Sequence, residues 1–182
     1  MRRSFGSSIM NIESAPQSQR RSFLWGRTAP LALAFIVATV AVDQFHKWWM
    51  LSVYDIGSKG RVRIFPFFDI TYVKNIGISY SLFDQESLLG QYLLTAFAVF
   101  ASFCLWLWLN RSGASRLMAI ALGLIIGGAI GNAIDRLRLG GVADFFSLHA
   151  YGYYWYVFNV ADMAIVAGVL VLLYESFWGE SH

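Results

Sequence analysis

Four long apolar stretches restrict the fold of this chain more than any other feature of its sequence. They cover approximately residues 28–50, 86–109, 117–137 and 155–177. Each has roughly the 20 residues that an α-helix needs to cross the hydrocarbon core of a bilayer. The composition agrees, because 57% of the 182 residues are hydrophobic and only 14% are charged. The sequence therefore predicts an all-α membrane protein with four transmembrane helices.

The two ends of the chain differ in composition from its middle. Residues 1–27 are polar and basic, which predicts a disordered cytoplasmic tail. Residues 28–178 are expected to form a single domain, and residues 179–182 a short second tail. The first apolar stretch could be a signal peptide, but polar and aromatic residues follow it where a small-residue cleavage site would stand. We interpret this stretch as a retained membrane anchor.

Tryptophan and arginine indicate how the helices lie in the bilayer. All seven tryptophans fall near the ends of the proposed helices, where an indole ring favours the headgroup level: Trp25, Trp48, Trp49, Trp106, Trp108, Trp155 and Trp178. Arg111 and Arg116 lie in a short turn on the same side as the basic tail. Cationic residues are equally numerous on the other side, but the positive-inside rule weights short loops near helix ends most heavily. The sequence therefore predicts that both termini are cytoplasmic.

The connections outside the apolar stretches carry two further signals. Residues 52–84 are more polar, and β-branched and aromatic residues partly alternate between residues 61 and 83, which predicts short strands outside the bilayer core. Residues 140–152 are rich in glycine and aromatic residues, which predicts an aromatic-rich loop that lies at the interface or acts in part as a lid. In the third stretch, Gly127 and Gly131 form a GxxxG pair that favours close helix contact.

Four aspartates occur in the apolar stretches or, for Asp144, in the connection between the third and the fourth, on one predicted side of the membrane: Asp43, Asp135, Asp144 and Asp162. An ionisable group near the hydrocarbon is energetically costly, so each is a candidate functional residue. Three of them have a polar partner on the same helix face. Lys47 lies four residues after Asp43, Asp135 lies three residues after Asn132, and Asp162 lies three residues after Asn159. The sequence predicts that these groups converge at one end of a helix bundle.

The residue types limit the chemistry of such a cluster. Only three histidines are present, without an HExxH motif, and Cys104 is the only cysteine, so we expect no metal and no cofactor. The sequence also lacks the GxSxG motif that would indicate a serine nucleophile. Basic residues are scattered rather than clustered, so we expect no nucleic-acid partner. Two neighbouring aspartates, by contrast, can share a proton and activate water without any cofactor.

Five short blocks resemble, in order, the signature motifs of the lipoprotein signal peptidase family (signal peptidase II). They are VDQFHK at residues 42–47, NIGISYS at 75–81, GNAIDR at 131–136, GVADF at 141–145 and FNVAD at 158–162. The resemblance implies an aspartic endopeptidase that cleaves diacylglyceryl-modified bacterial prolipoproteins just before the lipidated cysteine. It also implies Asp144 and Asp162 as catalytic aspartates. The substrate-binding or supporting positions that it implies are Asp43, Lys47, Asn75, Gly77, Asn132, Asp135, Arg136 and Asn159.

The resemblance further implies location and partners. It predicts a monomer in the bacterial inner membrane, with lipid-modified prolipoproteins and membrane lipids as partners and an active site near the extracytoplasmic face. It also implies a small extracytoplasmic β-sheet, to which the strand-like segment at residues 61–83 would correspond. The second block departs from the family pattern at Ile78, Ser79 and Tyr80, which could reshape the wall of the substrate site.

Individual residues also have simpler interpretations. Asp43 and Lys47 are expected to form a structural ion pair, and Asp135 with Arg136 a scaffold for the segment that bears Asp144. Asn132 and Asn159 could join helices while they orient the aspartates, and Asn75 is either a turn residue or a contact to the substrate backbone.

Two other classes of function remain open from the residues alone. One is a proton-coupled carrier or channel with Asp43, Asp135 and Asp162 as relay groups, which would favour midplane carboxylates and inverted repeats. The other is a noncatalytic membrane scaffold.

Overall fold

The computed structural model describes residues 24–77 and 88–178. In this part of the chain, helices lie at both ends and a small sheet is built from two separate segments. The elements in order are α1 (Ala29–Trp48), which continues as a π-helical turn (Trp49–Val53), α2 (Ile56–Lys59), β1 (Val62–Phe65), β2 (Phe68–Asn75), α3 (Leu88–Arg111), α4 (Arg116–Leu139), β3 (Val142–Ala150), β4 (Tyr153–Phe158) and α5 (Val160–Trp178).

Four of the helices are long and apolar enough to cross a membrane. They are Ala29–Val53, Leu88–Arg111, Arg116–Leu139 and Val160–Trp178. The four-helix prediction is therefore confirmed by length and composition. The predicted start of the second helix near residue 86 lies outside the described residues, as do residues 1–23 of the predicted tail and residues 179–182.

The fourth membrane helix begins later than the sequence predicted. It starts at Val160 rather than at residue 155, because the preceding residues 153–158 form strand β4. This segment reads YYWYVF, and its aromatic and β-branched side chains suit a pleated strand as well as a helix end. The predicted aromatic-rich loop is likewise largely strand β3, joined to β4 at Tyr151 and Gly152, whose positive φ angles of 51° and 84° are typical of a tight hairpin turn.

The sheet has four antiparallel strands in the order β1-β2-β3-β4. A sheet was predicted only from residues 61–83, but half of its strands come from the connection between α4 and α5. In the β2–β3 pairing, Val73 lies opposite Asp144 and Asn75 lies opposite Val142. The pairing therefore brings Asn75 close to Asp144, at the end of the sheet that adjoins α4.

Helix α4 occupies the centre of the bundle and contacts α1, α3 and α5. Three of its glycines, each four residues from the next, face α1: Gly123, Gly127 and Gly131. A Cβ atom on Gly127 would lie 2.7 Å from Cβ of Thr39, closer than non-bonded carbon atoms approach. Because the contacts that hold membrane helices together are van der Waals contacts rather than hydrophobic ones, this close approach stabilises the bundle.

Replacing a packing glycine of α4 is expected to destabilise the bundle. In Gly123→Ala the new methyl group would lie 2.8 Å from both the Ala32 carbonyl oxygen and Cβ of Phe35, so the helices must separate. We expect a loss of about 1–3 kcal/mol, typical of overpacking, seen as a lower unfolding midpoint in detergent. Gly57→Ala is the control, since nothing lies within 4 Å of its added Cβ. Equal midpoints for the two variants would contradict the packing assignment.

Candidate active site

Asp144 lies on strand β3 with its side chain almost completely enclosed, only 1% of the residue being exposed. Both carboxylate oxygens accept hydrogen bonds from amide groups. Asn75 Nδ2 donates to Oδ2 at 3.0 Å, and Asn159 Nδ2 donates to Oδ1 at 2.6 Å. A buried carboxylate with two amide donors is therefore held in one orientation.

The environment of Asp144 brings its titration close to neutral pH. Burial raises the pKa of this carboxyl to about 6, and the negative charge of Asp162 acts in the same direction. The hydrogen bonds from Asn75 and Asn159 and the charge of Lys47 oppose this rise. A carboxyl group that exchanges its proton near the working pH is suited to general acid–base chemistry.

Asp162 is fixed at the start of α5 by a reciprocal pair of hydrogen bonds with Asn159. The Asp162 backbone N–H donates to Asn159 Oδ1 at 3.0 Å, and the Asn159 backbone N–H donates to Asp162 Oδ2 at 3.1 Å. This is the arrangement of a capping box, which satisfies otherwise unpaired donors at a helix N-terminus. The Asn159–Asp162 spacing noted in the sequence therefore marks the start of a helix, and the capping box orients the Asp162 carboxylate.

Two asparagines connect Asp144 to Asp162. Asn159 Nδ2 donates to Asp144 and also to Asn132 Oδ1 at 3.1 Å, and Asn132 Nδ2 donates to Asp162 Oδ1 at 2.8 Å. The two carboxyl groups thus share one chain of amides that comes from α4 and α5. The structure brings together these four residues and Asn75, all of which the sequence identified as candidate site residues.

Beside this chain lies a buried ion cluster centred on Lys47. Its ammonium nitrogen is 2.8 Å from Oδ2 of Asp43, 2.8 Å from Oδ2 of Asp135 and 3.4 Å from Oδ1 of Asn132. The Asp43–Lys47 pair predicted from the spacing is present, and the second carboxylate comes from α4. Three acceptors match the three donors of an ammonium group, as a charge buried from water requires.

The two carboxylates of this cluster also hold the backbone beside each candidate catalytic aspartate. Asp43 Oδ1 accepts from the N–H of Ala161, the residue before Asp162, at 3.0 Å. Asp135 Oδ2 accepts from the N–H of Ala143, the residue before Asp144, at 3.1 Å. Asp43, Lys47 and Asp135 therefore position both segments that carry the pair.

Loss of the Lys47 charge is expected to destabilise the fold strongly. Lys47→Met would leave two buried carboxylates without a counter-ion, and such a change typically costs about 3–5 kcal/mol. The measurement is the unfolding midpoint in detergent, with Lys59→Met, a change at an exposed lysine of α2, as the control. Adding Asp135→Asn to Lys47→Met should recover part of the loss, because it removes one of the uncompensated charges. If the Lys47→Met variant unfolded at the same midpoint as the unsubstituted protein, this role of Lys47 would be contradicted.

Arg136 and Gly77 take local roles in the structure. Arg136 Nη1 donates to the carbonyl of Asn132 one helical turn earlier, at 3.3 Å, and Asp135 pairs with Lys47 instead of with Arg136. The predicted Asp135–Arg136 scaffold is thus corrected to a scaffold of Asp135 and Lys47. The Gly77 N–H donates to Asn75 Oδ1 at 3.1 Å, and its φ of 125° is one that glycine adopts readily.

Two glutamines of this region were not identified from the sequence. Gln44 Nε2 donates to Asp135 Oδ1 at 3.0 Å and to the Gly131 carbonyl at 3.2 Å, so it joins α1 to α4. Its position inside the block at residues 42–47 was the available signal. Gln91 Nε2 donates to the Ile76 carbonyl at 2.6 Å and attaches α3 to the segment after Asn75; a polar residue in an apolar span was the only sign of it.

Within residues 24–77 and 88–178, no group of three or more His, Cys, Asp or Glu side chains is arranged to hold a metal ion. The chemistry that the described site can perform with its own side chains is proton transfer between Asp144, Asp162 and a water or substrate placed against them.

Comparison with known proteins identifies relatives over most of the chain. The Peptidase_A8 family, described as signal peptidase (SPase) II, matches residues 35–178. The lipoprotein signal peptidase of Beijerinckia indica subsp. indica is 51% identical over 141 residues, which are 78% of this chain and 84% of that protein. The lipoprotein signal peptidase of Nitrobacter hamburgensis is 52% identical over 145 residues, 78% of this chain and 88% of that protein.

Solved structures share the fold. A bacterial membrane enzyme whose structure was obtained by the in meso method superposes with a TM-score of 0.70 at 23% identity, covering 84% of this chain and 95% of that one. A second structure with the same description gives a TM-score of 0.65 at 24% identity. The match over residues 35–178 and the relatives near 50% identity show that the chain belongs to the signal peptidase II family of proteases, among relatives named lipoprotein signal peptidase.

Proposed function

We propose that this chain is an aspartic endopeptidase that removes signal peptides from diacylglyceryl-modified prolipoproteins, cleaving just before the lipidated cysteine, with Asp144 and Asp162 as its catalytic pair. Membership of a protease family supports peptide cleavage over the carrier and scaffold alternatives. The observation that carries the assignment of the pair is the amide chain through Asn132 and Asn159, which links two carboxyl groups of unequal burial.

The environments of the two aspartates favour different roles. Asp144 is the more deeply buried group and its pKa is raised to about 6, so it can hold a proton near neutral pH. Asp162 is partly exposed and lies in the first turn of α5, where the helix dipole attracts an anion. Asp144 is therefore the general acid in our proposal, and Asp162 is the general base.

The reaction then follows the usual course for a carboxyl pair. Asp162 accepts a proton from a water molecule as the water oxygen attacks the scissile carbonyl carbon, and Asp144 donates its proton to the carbonyl oxygen. The resulting tetrahedral diol collapses when Asp162 passes its proton to the leaving nitrogen, the C–N bond breaks, and Asp144 regains a proton from the diol. The course as proposed uses only the two carboxyl groups and the attacking water.

We further propose that the site lies at the extracytoplasmic face of the bacterial inner membrane and that both termini are cytoplasmic. The site is at the C-terminal ends of α1 and α4 and at the start of α5, beside the sheet, whereas the start of α1 and the end of α5 lie at the opposite end of the bundle. A substrate anchored by acyl chains would present its scissile bond at this interface. We also propose that the protein acts as a monomer, since the described contacts of the site require only one copy of the chain.

Conservative changes at the two aspartates should each abolish processing. Asp144→Asn and Asp162→Asn remove one proton-transfer group apiece, so we expect at least a 10²-fold loss of rate, of the order that general acid–base catalysis contributes. The assay is cleavage of a lipidated precursor by purified protein. The control is Asp55→Asn, a change at an exposed aspartate ahead of α2. Full activity in either site variant would exclude the pair.

The pH profile offers a second check on the role of Asp144. If this group must hold a proton, activity should decline as pH rises through about 6, the raised pKa of Asp144. Because the hydrogen bond from Asn75 stabilises the charged form, Asn75→Ala should raise that pKa and move the alkaline limb to higher pH. The readout is the midpoint of the limb, which is separate from any loss of maximal rate. An unmoved or lowered midpoint would contradict the assignment.

A further inference from the structure

At the end of the bundle away from the aspartates, the structure contains a cavity of about 1120 Å³. It lies between residues 25–28, which lead into α1, and the turn that joins α3 to α4. Its lining includes Arg27, Asn110, Gly113, Ser115 and Arg116. Neither the proposed peptidase mechanism nor the glycine packing of α4 uses this space.

The wall of the cavity is tied to the helix bundle. The Gly26 N–H donates to Asn110 Oδ1 at 2.5 Å, and Trp106 Nε1 donates to the Leu24 carbonyl at 3.2 Å. The Trp25 ring also packs against that of Trp106, with centroids 6.2 Å apart. These contacts attach the segment before α1 to α3 and place Arg27 beside the α3–α4 turn.

The cavity carries positive charge at its rim. Arg27 and Arg116 both line it, and in the described part of the chain neither side chain lies within 4.0 Å of a carboxylate. The nearby carboxylate of Glu175 is hydrogen-bonded to the Ser115 hydroxyl. Two guanidinium groups that form no ion pair with the described carboxylates favour an anion, and phosphate suits their fork of donors.

A shallow, open apolar groove continues from the cavity along one face of α1. Trp25 and Pro30 border both spaces, and the groove is then lined by Leu33, Ala34, Val37 and Ala38. These positions repeat at three and four residues, so they form one face of a membrane-spanning helix. The small side chains of Ala34 and Ala38 create the groove between the larger residues. Its surface is apolar at the depth of the bilayer that acyl chains occupy.

We propose that this cavity and groove bind an anionic glycerophospholipid, with its phosphate between Arg27 and Arg116 and one acyl chain along the groove of α1. Charge excludes two other occupants. Residues 1–23 carry four arginines and one glutamate, and the leading segment of a signal peptide is also cationic, so either would be repelled by the two guanidinium groups. A lipid supplies both the anion and the apolar chain.

The test uses the full chain purified in neutral detergent and titrated with phosphatidylglycerol or with phosphatidylcholine of the same acyl chains. Binding is measured by native mass spectrometry and by the thermal unfolding midpoint. We expect saturable, one-site binding that is tighter for phosphatidylglycerol. Arg27→Gln and Arg116→Gln should each weaken it about fivefold, the effect expected of one cationic side chain at an anionic headgroup, and Ala34→Trp should weaken it by filling the groove.

The matched control is Arg111→Gln, which removes the same charge on the same side of the bundle from a residue that does not line the cavity. It should leave the affinity unchanged. Equal affinity for the two lipids, an equal loss in Arg111→Gln, or equally tight binding of soluble glycerol 3-phosphate would each overturn the proposal. Since no substrate is present, the result is independent of the proposed peptidase activity.

Discussion

The buried ammonium of Lys47 is the interaction on which the rest of this structure depends. It forms ion pairs with Asp43 and Asp135, one from its own helix and one from α4. The same two carboxylates accept hydrogen bonds from the backbone N–H groups of Ala161 and Ala143. Each of these residues directly precedes one aspartate of the proposed pair. A single cation therefore sets the positions of a helix start and a strand that are far apart in the sequence.

The ion cluster and the close packing of α1 against α4 depend on each other. Asp43 Oδ2 would lie 2.6 Å from a Cβ on Gly131, so the carboxylate occupies space that only glycine leaves. Conversely, the polar contacts across this interface add specificity that apolar packing in a bilayer lacks, because lipid competes for the same apolar surface. The glycines at four-residue spacing thus admit both a neighbouring helix and a charged group.

Much of this arrangement was predictable from local sequence, and the remainder depended on contacts between distant residues. The spans followed from hydropathy, and the Asp43–Lys47 pair followed from helical spacing. The start of α5 did not, because the residues of β4 are apolar and aromatic like those of a helix, and only their pairing with β3 makes them a strand. The partner of Asp135 was also nonlocal: Arg136 adjoins it in sequence, but Lys47 reaches it in space.

Asp144 belongs to the sheet, whereas Asp162 belongs to the helix bundle. The proposed pair is therefore assembled across a seam between two differently built parts of the protein. Side-chain amides and the Lys47 cluster bridge that seam, together with apolar contacts such as that of His46 with Phe145. A molecule that wedged the sheet away from the bundle by a fraction of a bond length would separate the two carboxyl groups without touching either one. The seam thus offers an inhibitor a point of attack that does not need to imitate a peptide.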